Sequence, residues 1–258
     1  MSIFKKILAS VGIGAAKVDT RLYDDSVIPG EMLNGEVYIT GGDVSQDIDE
    51  IYLSIATQYK REVDDTTVTQ ECVLLKYCLS ERFSLQPKEA KVIPFSFQLP
   101  HETPLTVGQQ PVYLRTGLDI SSAIDPKDTD YIQVRPHPLM QLVLDAIENL
   151  GFQLYKVDCE YNPHFGGRYP FVQEFEFRPI GNYQGHLDEL EVIFSLYSDQ
   201  LAVFLEINKR ARGFGGFLQE AFDMDERYVR FQVTADYLNY PLGELEAMID
   251  GIIQSHLH

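Results

Sequence analysis

The stretch Leu190-Glu191-Val192-Ile193-Phe194-Ser195-Leu196-Tyr197-Ser198-Asp199-Gln200-Leu201-Ala202-Val203-Phe204-Leu205-Glu206-Ile207 decides the fold class. Leu190, Val192, Phe194 and Leu196 recur every second residue, and Leu201, Val203, Leu205 and Ile207 do the same after Tyr197-Ser198-Asp199-Gln200. A period of two places each set on one face of an extended strand, and the short polar stretch between them predicts a tight antiparallel hairpin.

The same alternation extends outward in both directions. Upstream stand Tyr155, Val157, Cys159 and Tyr161, then Phe171, Phe175 and Phe177; downstream stand Val229, Phe231 and Val233. The first half repeats the pattern in Leu33, Val37 and Ile39, in Ile51, Leu53 and Ile55, in Val73, Leu75, Tyr77 and Leu79, and in Ile93, Phe95, Phe97 and Leu99. It continues through Val112, Leu114, Thr116 and Leu118. Pro29-Gly30, Gly41-Gly42 and Asp64-Asp65 supply turn chemistry between these runs. Short strands without intervening helices predict antiparallel sandwiches rather than a parallel sheet.

The two blocks part at Arg135-Pro136-His137-Pro138. Pro138 suits the first turn of a helix, and Leu139, Leu142, Val143, Ala146, Ile147 and Leu150 keep helical spacing until Gly151. The expected architecture is mainly β: one antiparallel sandwich over 1–136, and a second over 137–258 with added helices. Three helices are expected: a short N-terminal one built on Ile3, Phe4, Ile7, Leu8 and Val11, the one at 139–150 beside the linker, and a closing one at 244–256. A short helical stretch is also expected around Phe217, Leu218, Ala221 and Phe222.

Composition bounds the function. Lys and Arg number 21 against 39 Asp and Glu, a net charge of −18, and the excess is spread over both halves. Residues 1–136 carry 13 basic and 20 acidic side chains; residues 137–258 carry 8 and 19. Nucleic acid is disfavoured as a partner, and basic proteins are favoured. No window is long and apolar enough to span a bilayer, and Lys5 and Lys6 support at most weak peripheral association. Cys72, Cys78 and Cys159 are odd in number and lack metal-ligand spacing, which fits a reducing, cytoplasmic setting without disulfide, metal or cofactor.

Enzyme signatures are missing their defining residues. Gly12-Ile13-Gly14 lacks the third glycine of a dinucleotide fingerprint, and Arg212 to Phe217 lacks the lysine and serine of a phosphate loop. The Asp119 to Asp130 segment is acidic, but it lacks the ligand spacing, glycine and final glutamate of a calcium loop. His164 sits in a plain loop. Glu174/Glu176 and Glu189/Glu191 each share one strand face, which is read here as solvated, although a glycan-active enzyme uses paired carboxylates. No catalytic residue is assigned. Two surfaces are expected to bind partners. Lys209, Arg210 and Arg212 form a basic island suited to docking an acidic group. Leu245, Met248, Ile249, Ile252 and Ile253 form an apolar helix stripe suited to self-association as a homodimer.

Several motifs carry a resemblance. Gly14 to Leu22, Pro29-Gly30-Glu31, Gly35 to Ile39, Ile51-Tyr52-Leu53 and Tyr59 to Glu62 resemble the bacterial family of stage-zero sporulation-control proteins, type M. So do Thr116 to Ile120, Ala123 to Pro126, Asp130-Tyr131, Phe175-Glu176-Phe177 and Gly213 to Phe217. More distantly, Pro29-Gly30-Glu31 with Gly35, and Ile93-Pro94-Phe95 with Leu99-Pro100 and Pro104, are similar to arrestins. The resemblance implies two tandem arrestin-like sandwiches in a cytosolic, non-enzymatic regulator of sporulation that acts as a protein-interaction scaffold. The helices at 139–150 and 244–256 depart from arrestins, so recognition of phosphorylated receptors is not carried over. The alternative is a small-ligand or calcium-sensing module built on Asp119 to Asp130.

Overall fold

The structure, a computed structural model, describes residues 15–120, 125–163, 165, 167–209 and 228–257. The expected N-terminal helix, the stretch around Phe217, and His164 lie outside the described residues. The chain is mainly β and divides into two compact units. The first takes in the described residues of 1–58, 70–106 and 111–135, and the second those of 59–69, 107–110 and 136–258.

In the first unit, β1 (Lys17–Leu22), β3 (Met32–Thr40) and β7 (Ala90–Gln98) form a three-stranded antiparallel sheet, and β2 (Ser26–Val27) pairs with β10 (Gln133–Val134). β4 (Gln46–Val63) pairs with β5 (Thr66–Ser80), β6 (Phe83–Leu85) and β8 (Val112–Ile120), and β8 pairs with β9 (Lys127–Tyr131). The alternation explains the core: Leu33, Val37, Ile39, Phe95 and Phe97 are buried on one sheet, and Ile51, Leu53, Ile55, Leu114 and Leu118 on the other. Pro94 lies within β7, where an outer strand tolerates the missing N–H. Asp64 and Asp65 both have positive φ, 48° and 57°, the backbone of a two-residue type I′ hairpin between β4 and β5. Thr20 of β1 reaches across to the other sheet: its hydroxyl lies 2.6 Å from that of Thr116, and its N–H donates to Asp128 at 2.6 Å.

Of the described residues between Asp119 and Asp130, Asp119 and Ile120 end β8 and Lys127 to Asp130 lie in β9. Asp125 accepts the N–H of Ile120 and Asp128 that of Thr20, so these carboxylates serve backbone donors.

The second unit opens with α1 (Pro138–Asn149). His137 caps it by accepting the Leu139 N–H, Pro138 occupies the first turn, and Gly151, at φ +89°, ends it. The following strands, β11 (Phe152–Tyr161), β12 (Phe171–Pro179), β13 (Leu187–Leu196), β14 (Gln200–Lys209) and β15 (Tyr228–Thr234), are successive antiparallel neighbours. Lys60 of β4 pairs with Glu160 at the outer side of β11. A 3-10 turn, Ala235–Asn239, leads to α2 (Leu242–Leu257).

Register gives this sheet two unlike faces. Phe175, Val192 and Leu205 stand opposite one another across three strands, as do Leu196, Leu201 and Val233, and the two helices pack on the sheet. Leu139, Val143, Ala146 and Ile147 of α1 and Leu245, Ile249 and Ile253 of α2 are buried, and α1 contacts α2 directly. Where a second sheet was expected from the sequence, the described residues of this unit place two helices. Their apolar stripes bury enough surface to close the core without further strands.

Most of the expected self-association stripe therefore lies inside the unit. Met248 and Ile252 are its half-buried members, and the Tyr237 hydroxyl approaches the Met248 sulfur at 3.7 Å. Ile249→Ala is expected to lower unfolding stability by about 2–5 kcal/mol, measured by denaturant titration. Ile252→Ala, with fewer packed neighbours to lose, should change it clearly less.

Candidate functional site

The face of the second unit's sheet opposite Phe175 and Phe177 carries charge. Residues two apart on a strand share a face, so Lys156, Asp158 and Glu160 of β11, Glu174 and Glu176 of β12, Glu189 and Glu191 of β13, and Glu206 and Asn208 of β14 all project together. Antiparallel pairing then lines up Lys156 with Glu176, Glu176 with Glu191, Glu191 with Glu206, and Glu206 with Tyr228, a row across five strands.

This row floors a cavity of about 380 Å³ lined by Lys156, Glu160, Asn162, Glu174, Glu176, Glu191, Glu206 and Tyr228. Phe165 stands over its β14–β15 side, edge-on to Phe204 at 5.2 Å and to Tyr228 at 4.8 Å, and its N–H is held by the Asn162 side chain. Glu206 is 2% exposed. The expectation that Glu174/Glu176 and Glu189/Glu191 form a solvated strand face does not hold for Glu174, Glu176 and Glu191, which are half-buried and line this cavity.

Charge within the cavity is organised around one ammonium. Lys156 Nζ lies 2.6 Å from Glu176, 3.1 Å from Asp158 and 3.4 Å from Glu160, and Lys60 holds Asp158 from the β4 side at 2.7 Å. Burial works against the Lys156 charge, but hydrogen bonds to Glu176 and Asp158 outweigh it and raise its pKa. Burial likewise opposes ionisation of Asp158, yet the two lysines prevail and hold its carboxyl below the ordinary value. Glu174 has no such balance: burial first, then Glu160, Glu206 and Glu176, push it to about 7 against the pull of Lys156. Burial and the Glu206 and Glu174 charges push the Tyr228 phenol upward. The Asn208 amide donates to Glu191 at 2.9 Å and Glu189 at 3.3 Å.

The cavity lining contains no serine, cysteine or histidine. Cys159 is buried, and burial raises its thiol well above the ordinary value, which makes it a poor nucleophile. Among the described residues no three His, Cys, Asp or Glu side chains are arranged to hold a metal ion, and no helix is long and apolar enough to cross a membrane.

Of the residues chosen from sequence, Lys209 ends β14 opposite Leu187, and Arg210 and Arg212 lie outside the described residues. Lys156, Asp158, Glu206 and Tyr228 were not singled out in the sequence. The signal for the first three was a charged residue at matching strand parity in successive apolar strands.

Comparison with known proteins places this architecture. The SpoOM protein family matches residues 4–211. The chain is 44% identical over 257 residues to the sporulation-control protein spo0M of Bacillus subtilis, covering 99% of each. The chain belongs to the SpoOM protein family. The crystal structure of Spo0M from Bacillus subtilis superposes with a TM-score of 0.86 at 43% identity, over 94% of this chain and 99% of that one.

Lys156 is the hub of the cavity, so Lys156→Met should lower the thermal unfolding midpoint. The loss should be greater at pH 8 than at pH 5, because carboxylates deprived of their cation recover part of the energy by taking up protons. Calorimetry at the two pH values checks this; an equal loss at both would show that Lys156 acts through its packing rather than its charge.

Proposed function

We propose that this chain is a non-enzymatic, cytoplasmic regulator of sporulation that acts as a protein-interaction scaffold. Full-length kinship with a protein named for sporulation control carries the reading. The geometry supports it in two ways. The cavity gathers carboxylates around one ammonium and offers no nucleophile with an adjacent base, which suits binding of a cationic group better than turnover. The first unit, with two sheets in contact through Thr20, Thr116 and Asp128, supports an arrestin-like plan there, whose edges and loops present partner surfaces.

Two surfaces of opposite charge follow from this reading. The Lys209, Arg210 and Arg212 island docks an acidic partner, and the broadly acidic remainder favours basic ones. Dimer formation through Met248 and Ile252 is a secondary proposal. A second functional reading rests on Glu174: a carboxyl raised to about 7 beside a second carboxyl in a cavity is the pattern of a general acid in glycan hydrolysis.

Cross-linking pulldown from sporulating cells tests the scaffold. Proteins recovered with the intact chain are expected to be lost or reduced when Lys209, Arg210 and Arg212 are replaced by alanine, with thermal stability nearly unchanged, since exposed ion pairs contribute only about 0–1 kcal/mol each. Equal recovery with the triple variant would remove the basic island from the scaffold. Glycoside turnover abolished by Glu174→Gln would replace the scaffold with the enzyme.

A further inference from the structure

The cavity's charges are unevenly neutralised. Glu174 projects from β12 beside Glu176 and faces Lys156, Asp158 and Glu160 of β11, Glu191 of β13, Glu206 of β14 and Tyr228 of β15. Lys60 of β4 reaches this group through Asp158. The other cations on the same strand faces are turned to aromatic rings: Arg178 lies over Tyr155 at 3.4 Å and Arg230 over Phe204 at 5.5 Å. Lys156 and Lys60 both bind on the β11 side, whereas Glu174, Glu191 and Glu206 stand on β12, β13 and β14 and line the cavity together with Tyr228.

We propose that the cluster of carboxylates lining this cavity holds a proton and is a pH-sensitive element of the second unit, which gains a proton and stability as the pH falls from mildly alkaline to mildly acidic. The inference stands on the cluster's geometry and goes beyond the scaffold reading. Crowded carboxylates in a partly desolvated space do not all ionise together, and the one that keeps its proton no longer repels its neighbours. Glu174, buried and surrounded by Glu160, Glu206 and Glu176, is the preferred holder.

The sign follows from linkage. The folded value of Glu174, about 7, lies above its ordinary value of 4.5, so between these the folded chain binds more protons than the unfolded chain. Stability from this group is fully present below about 4.5 and is lost as the pH rises through about 7. Asp130 of the first unit is also raised, to about 6, by burial and by Asp128 and Asp19, and it contributes in the same direction over a lower range.

Thermal unfolding of the full chain at pH 6 and pH 8 tests the proposal, with Glu174→Gln and, as the control for the first unit, Asp130→Asn. The wild type is expected to unfold about 2–5 °C higher at pH 6 than at pH 8. Glu174→Gln should remove most of that difference and Asp130→Asn should leave most of it. In parallel, carbon NMR of the wild type labelled only at glutamate side-chain carboxyls should show one carboxyl titrating between pH 6 and pH 8, absent in Glu174→Gln. The NMR titration of the wild type decides alone if the Gln variant does not fold. Completion of every glutamate titration below about pH 5.5, or survival of the neutral titration unchanged in a folded Glu174→Gln, would overturn the proposal.

Discussion

Cross-strand register in the sheet from β11 to β15 is the constraint on which the second unit depends. One hydrogen-bonded alignment simultaneously places Phe175, Val192 and Leu205 in one row and Glu176, Glu191 and Glu206 in another. A slip of a single residue on any strand would turn its carboxylates into the helix-covered core and its aliphatic side chains into the cavity. Both errors carry large penalties, so the polar face helps specify the fold even though its charges repel one another.

That arrangement leaves the polar face with like charges that must be reconciled within the fold. Lys156 reconciles the β11 side by touching three carboxylates at once, and Lys60 from β4 adds a second cation at Asp158. Farther along the sheet the stabilisation is different, through the Asn208 amide at Glu189 and Glu191. For stability alone, aliphatic residues would serve better at these positions.

Much of the secondary structure is legible from residue pattern. Alternation marks the long strands, and the stripe from Leu139 to Leu150, opened by Pro138 and closed by Gly151, marks α1 because proline and glycine act at opposite ends of a helix. The two-residue strands β2 and β10 and the 3-10 turn at Ala235–Asn239 are too short to carry a period. The site is harder. Glu174/Glu176 and Glu189/Glu191 are visible as pairs, but their burial depends on which residues face them across strands. The connections at 162–170 and 180–186 are too long for turn chemistry to fix that register, unlike the short turn at 197–199. The packing of Phe165 on Phe204 and Tyr228 is a tertiary contact with no local signal at all.

The tip of the β4–β5 hairpin, residues 59–69, clusters with the second unit although it precedes most of that unit by some seventy residues or more of chain. Tyr59 stacks on Phe171 at 5.4 Å, Arg61 lies over Tyr161, and Lys60 pairs with both Glu160 and Asp158. During synthesis these side chains leave the ribosome long before their partners exist, so the hairpin end must wait, apolar surface uncovered, until β11 and β12 arrive. Completion of the second unit is therefore a late, long-range event, and a chain divided at residue 136 would yield a carboxy-terminal half lacking a strand segment that no local sequence can replace.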